Sequence, residues 1–448
     1  MNPLASSKSL LACAMALALA LPAAPTLAGP RPAATPTEPA ARADSALPTL
    51  DNLPSPSLPQ AATMAQILAA TPALQEAQAL QQAAAHNGAV LRAGTNEFTA
   101  QAQVQQRRIE SPPDNGRYTE WQLLINRTLR LPAQAQADGR LAEALQASAQ
   151  AGLAATRQQV LGQLLTAWFT AERAQAEAAL AQQDLDLIHA QVKALQRRQA
   201  LGDASVLEVE QMQAEQARAQ AALLLAQGVA ASSRAALLAR YPQLAPSGTQ
   251  AAPRQDDALA LPTLDAGQLA AQAVQANAPL QVQRAALQRA QAAAAQAQAA
   301  RTPQPTVGAY VGSDRGGSER IVGLQFAMPF GGPARVAQEH AALAEVDAAQ
   351  WRLRDLQAQT QAEFQQLYAQ AQAQTAAVGA ALQAAQVQVQ ASSRMLHAYQ
   401  LGEAGLSDWL LARRSALDAT RLVLQARFDA AASVAQLKLQ TGLLDVAP

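Results

Sequence analysis

The sequence is poor in aromatic residues, which make up 3% of it, and in charge, with Asp, Glu, Lys and Arg together at 15%. A chain of 448 residues built as ordinary globular domains draws much of its buried area from bulky aromatics. That architecture is therefore not expected. Ala and Gln dominate instead, and long Ala/Leu/Gln/Glu/Arg tracts favour long helices because these side chains lose little freedom there. Neither sign of charge is in excess, with 33 basic and 33 acidic residues, and no basic run is present. Nucleic acid is not an expected partner. Cysteine occurs once, as Cys13, so the rest of the chain offers no disulfide and no thiolate metal site. The four histidines, His86, His189, His340 and His397, lack ligand spacing. No nucleophile motif is found either. No enzyme activity, cofactor or bound metal is expected.

What is present begins with a leader. Lys8 precedes the apolar run SLLACAMALALAL and small residues ending in TLAG. This reads as a secretory signal over 1–28, cut after Ala28. LLAC also fits a lipoprotein box, but the apolar run continues past Cys13. No later segment has 18 consecutive apolar residues, so no helix is expected to span a bilayer. An exported chain of that kind is either soluble or a β-barrel.

Eight prolines in 29–60 mark an extended or disordered linker, and a second Pro-rich connection covers 241–267. Between and after them the chain repeats itself. MAQILAATPALQEAQALQQA from Met64 is similar to LAAQAVQANAPLQVQRAALQRA from Leu269, and LGDASVLE from Leu201 to LGEAGLSD from Leu401. The expected organisation is two equivalent repeats, 61–240 and 268–443. Each would hold a helix, a strand hairpin (about 97–131 and 305–329), a long helix, a tip (about 201–208 and 401–408) and a return helix.

The hairpins are read from period-two alternation. Phe98, Ala100, Ala102 and Val104 oppose Thr99, Gln101, Gln103 and Gln105; Trp121, Leu123 and Ile125 oppose Gln122 and Asn126. Val307, Ala309 and Val311 alternate with Gly308 and Tyr310, and Val322, Leu324, Phe326 and Met328 with Gly323, Gln325 and Ala327. SPPDNGR and SDRGGSE supply the turns. Six of the 15 aromatics fall in these two short regions. Strands with one apolar face and aromatic ends fit a transmembrane β-barrel wall; two solvated hairpins packed on a helical domain fit the same alternation. Arg127, on the apolar face, suits a membrane only at an interface. Four strands close no barrel, since small barrels need about eight, so a membrane role requires several copies.

The helices after each hairpin lack proline over nearly 70 residues, roughly 100 Å of rod. Leu180, Leu187 and Leu201 share one heptad phase, and Leu382, Val389 and Leu396 another, which suggests coiled-coil packing. Gly202 and Gly402 supply left-handed caps, and Ser205 caps the returning helix. Each repeated phrase thus reads as the tip of a helical hairpin.

On these residues the chain resembles the TolC-type outer-membrane factors of bacterial tripartite efflux pumps, over about 61–443. EFTAQAQVQQR, YTEWQLLINRTLRLP, SDRGGSERIVGLQFAMPFGGPAR and AYQLGEAGLSDWLLARR are most similar to the heavy-metal, CzcC-like branch. The family's tip motif is a glycine followed six positions later by aspartate and an aliphatic residue. Gly402 and Asp408 match it, with Trp409 in the aliphatic place; Gly202 and Val209 match it, with Glu208 for aspartate. The resemblance implies a mainly α fold with transmembrane β, internally duplicated. It also implies a homotrimer with a twelve-stranded β-barrel, four strands per chain, and a trimeric α-barrel of long coiled-coil helices. The implied partners are a periplasmic adaptor, an inner-membrane pump and outer-membrane lipid; the implied function is passive export, with heavy-metal cations as cargo. Gly202, Asp203, Glu208, Gly402, Glu403 and Asp408 would form a gate or adaptor contact. Drug efflux or type I secretion is the alternative cargo reading. A periplasmic coiled-coil adaptor is the rival class, and solvated turn acids or helix N-terminal charges are the rival reading of the tip carboxylates.

Overall fold

The structure, a computed structural model, describes residues 50, 53–110, 112–113, 115–245 and 260–444. The expected signal with Cys13, most of the first linker and residues 246–259 of the Pro-rich connection lie outside the described residues.

Six elements occur in one order and then recur. They are α1 (Ala61–Ala70), α2 (Pro72–Ala93), β1 (Phe98–Ile109), β2 (Gly116–Thr128), α3 (Pro132–Ala200) and α4 (Val206–Arg240). After them come α5 (Ala266–Ala276), α6 (Ala278–Ala299), β3 (Thr306–Asp314), β4 (Glu319–Ala327), α7 (Pro333–Gln400) and α8 (Leu406–Gln440). The rods α3 and α7 have 69 and 68 residues, and their return helices 35 each.

Local chemistry sets the ends of the rods. Pro132 and Pro333 open them at a position where a missing N–H leaves no bond unmade. Gly202 and Gly402 close them at φ 86° and 78°. The Asp203 amide then donates back to the Arg198 carbonyl at 2.8 Å, and the Glu403 amide to Ala398 at 2.9 Å. These are Schellman closures, which satisfy carbonyls the helix leaves over. Because α4 starts at the tip and is half as long as α3, it can cover only the tip-ward half. α2 and α6 pack on α3 as well, and α7 packs on α5, α6 and α8. One core joins Leu164, Leu165 and Phe169 of α3 to Leu424 and Phe428 of α8 and to Met64 and Ile67 of α1.

One expectation needs correction, and two others gain detail. Leu180 and Leu187 are buried in the seam, but Leu201 is 78% exposed, because it is the helix cap from which the chain already turns away. α4 holds an 18-residue window apolar enough, by composition, to cross a membrane. It serves here as the return arm of a hairpin, with Met212 and Leu223 packed inward and Leu224, Leu225 and Val229 exposed. Finally, the last residues of the first linker are extended but packed: Leu53, Pro56, Ser57 and Pro59 are buried. The Ser57 amide donates to one Glu172 oxygen at 3.1 Å, and its hydroxyl bonds to the other at 2.5 Å. Trp168 Nε1 donates to the Ser57 carbonyl at 2.8 Å.

Burial pushes the Glu172 carboxyl above its ordinary range, against the lowering effect of the bonds from Ser57 and Trp168. A carboxyl raised in the folded state costs stability when ionised, and the cost is relieved as pH falls. Glu172→Gln keeps an acceptor for the Ser57 amide without the charge, so its melting midpoint at pH 7 is expected to equal or exceed the parent's. Glu172→Ala leaves the Ser57 donors unpaired and is expected to cost about 1–2 kcal/mol. Thermal melts followed by circular dichroism check both.

The strands form one antiparallel sheet in the order β1-β2-β3-β4, with the row Ala100, Ile125, Ala309 and Leu324 running straight across it. Its burial is inverted. Val104, Leu123, Ile125, Val322, Leu324 and Phe326 are exposed, whereas Tyr118, Glu120, Gln122 and Asn126 on the other face of β2 are half-buried or buried. A solvated sheet does the reverse. Arg127 does share the apolar face, but at the helix-side end of β2, opposite Phe98. Its guanidinium lies 4.8 Å over the Phe98 ring, and its Nε donates to the Asn96 carbonyl at 3.0 Å.

Candidate functional site at the hairpin tips

The turns at 201–205 and 401–405 each hold one acid directly after the glycine and receive another from the first turn of the return helix. Asp203 and Glu403, following the two glycines, are exposed. Glu208 is half-buried and committed to a cap. It accepts from the Ser205 amide at 2.9 Å and the Ser205 hydroxyl at 3.1 Å, while the Ser205 oxygen accepts from the Glu208 amide at 3.2 Å. That is a complete capping box. Asp408 accepts from the Gly405 amide at 3.2 Å, but Gly405 has no side chain to answer, so only half of the box exists. The two tips therefore differ in how firmly their second acid is held. Both acids also sit where a helix N-terminus favours negative charge.

Within one chain the tips pack side by side. Val209 and Met212 from the first share a core with Tyr399, Leu406 and Trp409 from the second, over Ile188, Val192 and Leu195 of α3. Trp409 is almost fully buried and stacks on Tyr399, with centroids 6.2 Å apart and planes 10° apart. Arg198 lies 5.7 Å from the other ring of this arrangement, Tyr399. Burial, reinforced by the Glu208 charge and partly offset by Arg198, pushes the Tyr399 hydroxyl above its ordinary range, so it stays neutral. The aromatic in the aliphatic place of the motif thus fills a core position.

Sequence reasoning missed a buried ionic cluster behind the tips. Arg413 of α8 pairs with Asp184 of α3 and, at 3.3 Å, with Glu215 of α4; Arg414 pairs with the same Glu215, and Arg218 reaches it at 2.7 Å. The side chains of Arg413, Asp184 and Glu215 are only 4–6% exposed. Burial alone would push the Glu215 carboxyl up, but Arg414, Arg218 and Arg413 more than offset it and hold it below the ordinary range. The signal was in the spacing: Asp184 falls between buried Leu180 and Ile188, and Arg413 between buried Trp409 and Leu417. A charge occupying a seam position must find a partner. His86, His189, His340 and His397 are all exposed. Among the described residues, no group of three or more His, Cys, Asp or Glu is placed to hold a metal.

No family model and no curated protein matches the chain. Solved structures do. The outer-membrane channel OprN superposes with a TM-score of 0.71 at 17% identity, over 85% of this chain and 89% of that one. The outer membrane protein VceC from Vibrio cholerae gives 0.68 at 21%, over 85% and 95%. The open state of the Neisseria gonorrhoeae MtrE outer membrane channel gives 0.67 at 18%, over 85% and 88%. The chain has the fold of these outer-membrane channels. Within that fold the mainly α chain carries one four-stranded antiparallel sheet.

Proposed function

We propose that this chain is the outer-membrane exit channel of a tripartite efflux system, a passive conduit from periplasm to exterior. The carrying observation is the inverted sheet. Its apolar face is exposed, and both edges, β1 and β4, lack a neighbour among the described residues. Strand directions alternate, so β4 of one copy runs antiparallel to β1 of the next. Three copies would then close twelve strands against outer-membrane lipid, and the exposed Leu224, Leu225 and Val229 of α4 would be covered between copies. The rods would continue the tube across the periplasm and bring the tips to a periplasmic adaptor and its inner-membrane pump. A periplasmic adaptor has no need of an exposed apolar sheet.

Cell fractionation and mild-detergent electrophoresis test this. A detergent-resistant trimer in the outer-membrane fraction is expected. A monomer washed from the envelope by salt would overturn the proposal. For cargo, the comparisons lend the heavy-metal branch no support, with identities of 13–21% spread over several channels. The wider reading, an outer-membrane factor whose cargo is chosen by the pump, is the one we adopt. Growth of a deletion strain on metals and on a drug panel decides between cargo classes.

The tip acids Asp203, Glu208, Glu403 and Asp408, behind Gly202 and Gly402, are proposed to line the periplasmic aperture or the adaptor contact. Repeated threefold, they would draw in cations. Glu208→Gln with Asp408→Asn keeps the capping acceptors and removes two charges per chain. In planar bilayers the cation-over-anion preference is expected to fall roughly two- to tenfold. An unchanged reversal potential would remove both residues from the aperture.

A further inference from the structure

At the end of the sheet remote from the helices, the β3–β4 connection does not simply continue the two strands. Its three residues Arg315–Gly317 all have positive φ, 47°, 67° and 104°, a conformation costly for a non-glycine such as Arg315. The turn bends back against β2. A Cβ placed on Gly316 would lie 3.5 Å from the Tyr118 ring, and that ring also folds over Gly116. Tyr118 and Glu120 stand opposite Arg107 and Gln105, on the polar face of the sheet. On that face Glu120 is only 2% exposed, although the residues on either side of it, Tyr118 and Gln122, are half-buried. Gln105 Nε2 donates to one of its carboxylate oxygens at 2.8 Å. The other lies 3.5 Å from Arg107 without a hydrogen bond. A buried carboxylate whose second oxygen has an arginine nearby but no hydrogen bond, on the strand against which a strained turn bends back, points to a functional device rather than a passive loop.

We propose that the β3–β4 turn is a flap folded onto the pore-facing side of the sheet, so that three copies narrow the outer mouth, and that Glu120 is the selectivity charge the flap covers. This rests on the channel reading above. The flap is closed by Tyr118 beneath Gly316, and the ion pair between Arg315 and Glu319, 3.3 Å apart, braces the turn itself. Lifted, it widens the mouth and uncovers three carboxylates, which attract cations.

The test uses the full-length trimer in planar bilayers. Replacing residues 315–318 with Asn-Gly, a two-residue turn that matches the strand twist, removes the flap but keeps the hairpin. Single-channel conductance is expected to rise about twofold, the scale at which a constriction limits current. Glu120→Gln should leave the reversal potential of the parent unchanged and reduce cation preference in the shortened channel. A second variant, Tyr118→Ala, removes the ring on which the turn rests and should raise conductance in the same direction. A conducting trimer whose conductance ignores both shortening and Tyr118→Ala overturns the flap alone. A parent protein that forms no channels overturns the channel reading and the flap with it.

Discussion

Arg413→Ala is expected to cost about 3–5 kcal/mol, because it strands the buried Asp184 carboxylate and takes one of three arginines from Glu215. Asp184 and Glu215 come from different helices and meet only through Arg413. Arg414 and Arg218 still reach Glu215, so Asp184 loses most. Replacing Arg413, Asp184 and Glu215 together by leucine is expected to recover most of the stability, since a buried ionic cluster contributes little over a packed apolar one. Chemical denaturation of the single and triple variants measures both. The pH dependence has a definite sign. Glu215 is held below its ordinary pKa of 4.5, so its contribution is complete above pH 4.5 and is lost as pH falls through the depressed value. The triple variant should lose that acid dependence. If Arg413→Ala melts like the parent at pH 7, the cluster does not hold the two hairpins together.

What the sequence made legible, and what it did not, follows from the range of the interactions involved. The rods could be read because helix propensity is local: no proline interrupts them, and Leu-Gly stops them at both tips. The strands could be read because alternation is local too. Which face of the sheet looks outward could not be read, since the same alternation serves a solvated hairpin and a barrel wall; only the folded chain shows Leu324 exposed and Glu120 covered. Arg413 meets Asp184 across 229 positions and Glu215 across 198, and no local pattern encodes such a pairing beyond a charge at a seam position. Residues 53–60 carry the Pro and Ser of a linker, yet bonds to Glu172 and Trp168, more than 100 residues away, and burial of Leu53 in the main core turn them into a packed segment. At the tips the glycines and Ser205 acted as their chemistry required. The commitment of Glu208 to a full capping box, against the half box of Asp408, emerges only from geometry. It shifts the weight of any charge-based role toward Asp408, Asp203 and Glu403.

Leu324→Arg separates the barrel wall from a solvated hairpin more sharply than any change at the tips. Leu324 is 88% exposed in the single chain and lies across from Ala309 near the middle of β4. Were that face in water, a polar substitution there would change stability by less than about 0.5 kcal/mol. In a bilayer, an arginine at mid-depth on the lipid face costs about 2–4 kcal/mol. Three copies would place three such charges in one barrel, so the penalty on assembly triples while each helical hairpin is untouched. The expected result is loss of the detergent-resistant trimer with circular dichroism of the helices retained. Arg320 provides the internal control: it shares the same face of β4 but stands at the strand end, opposite Ser313, where the penalty falls to about 0–1 kcal/mol. Arg320→Leu should therefore leave assembly intact. If Leu324→Arg assembles as well as the parent, that face is not in contact with lipid, and the four strands are a solvated cap on a helical protein.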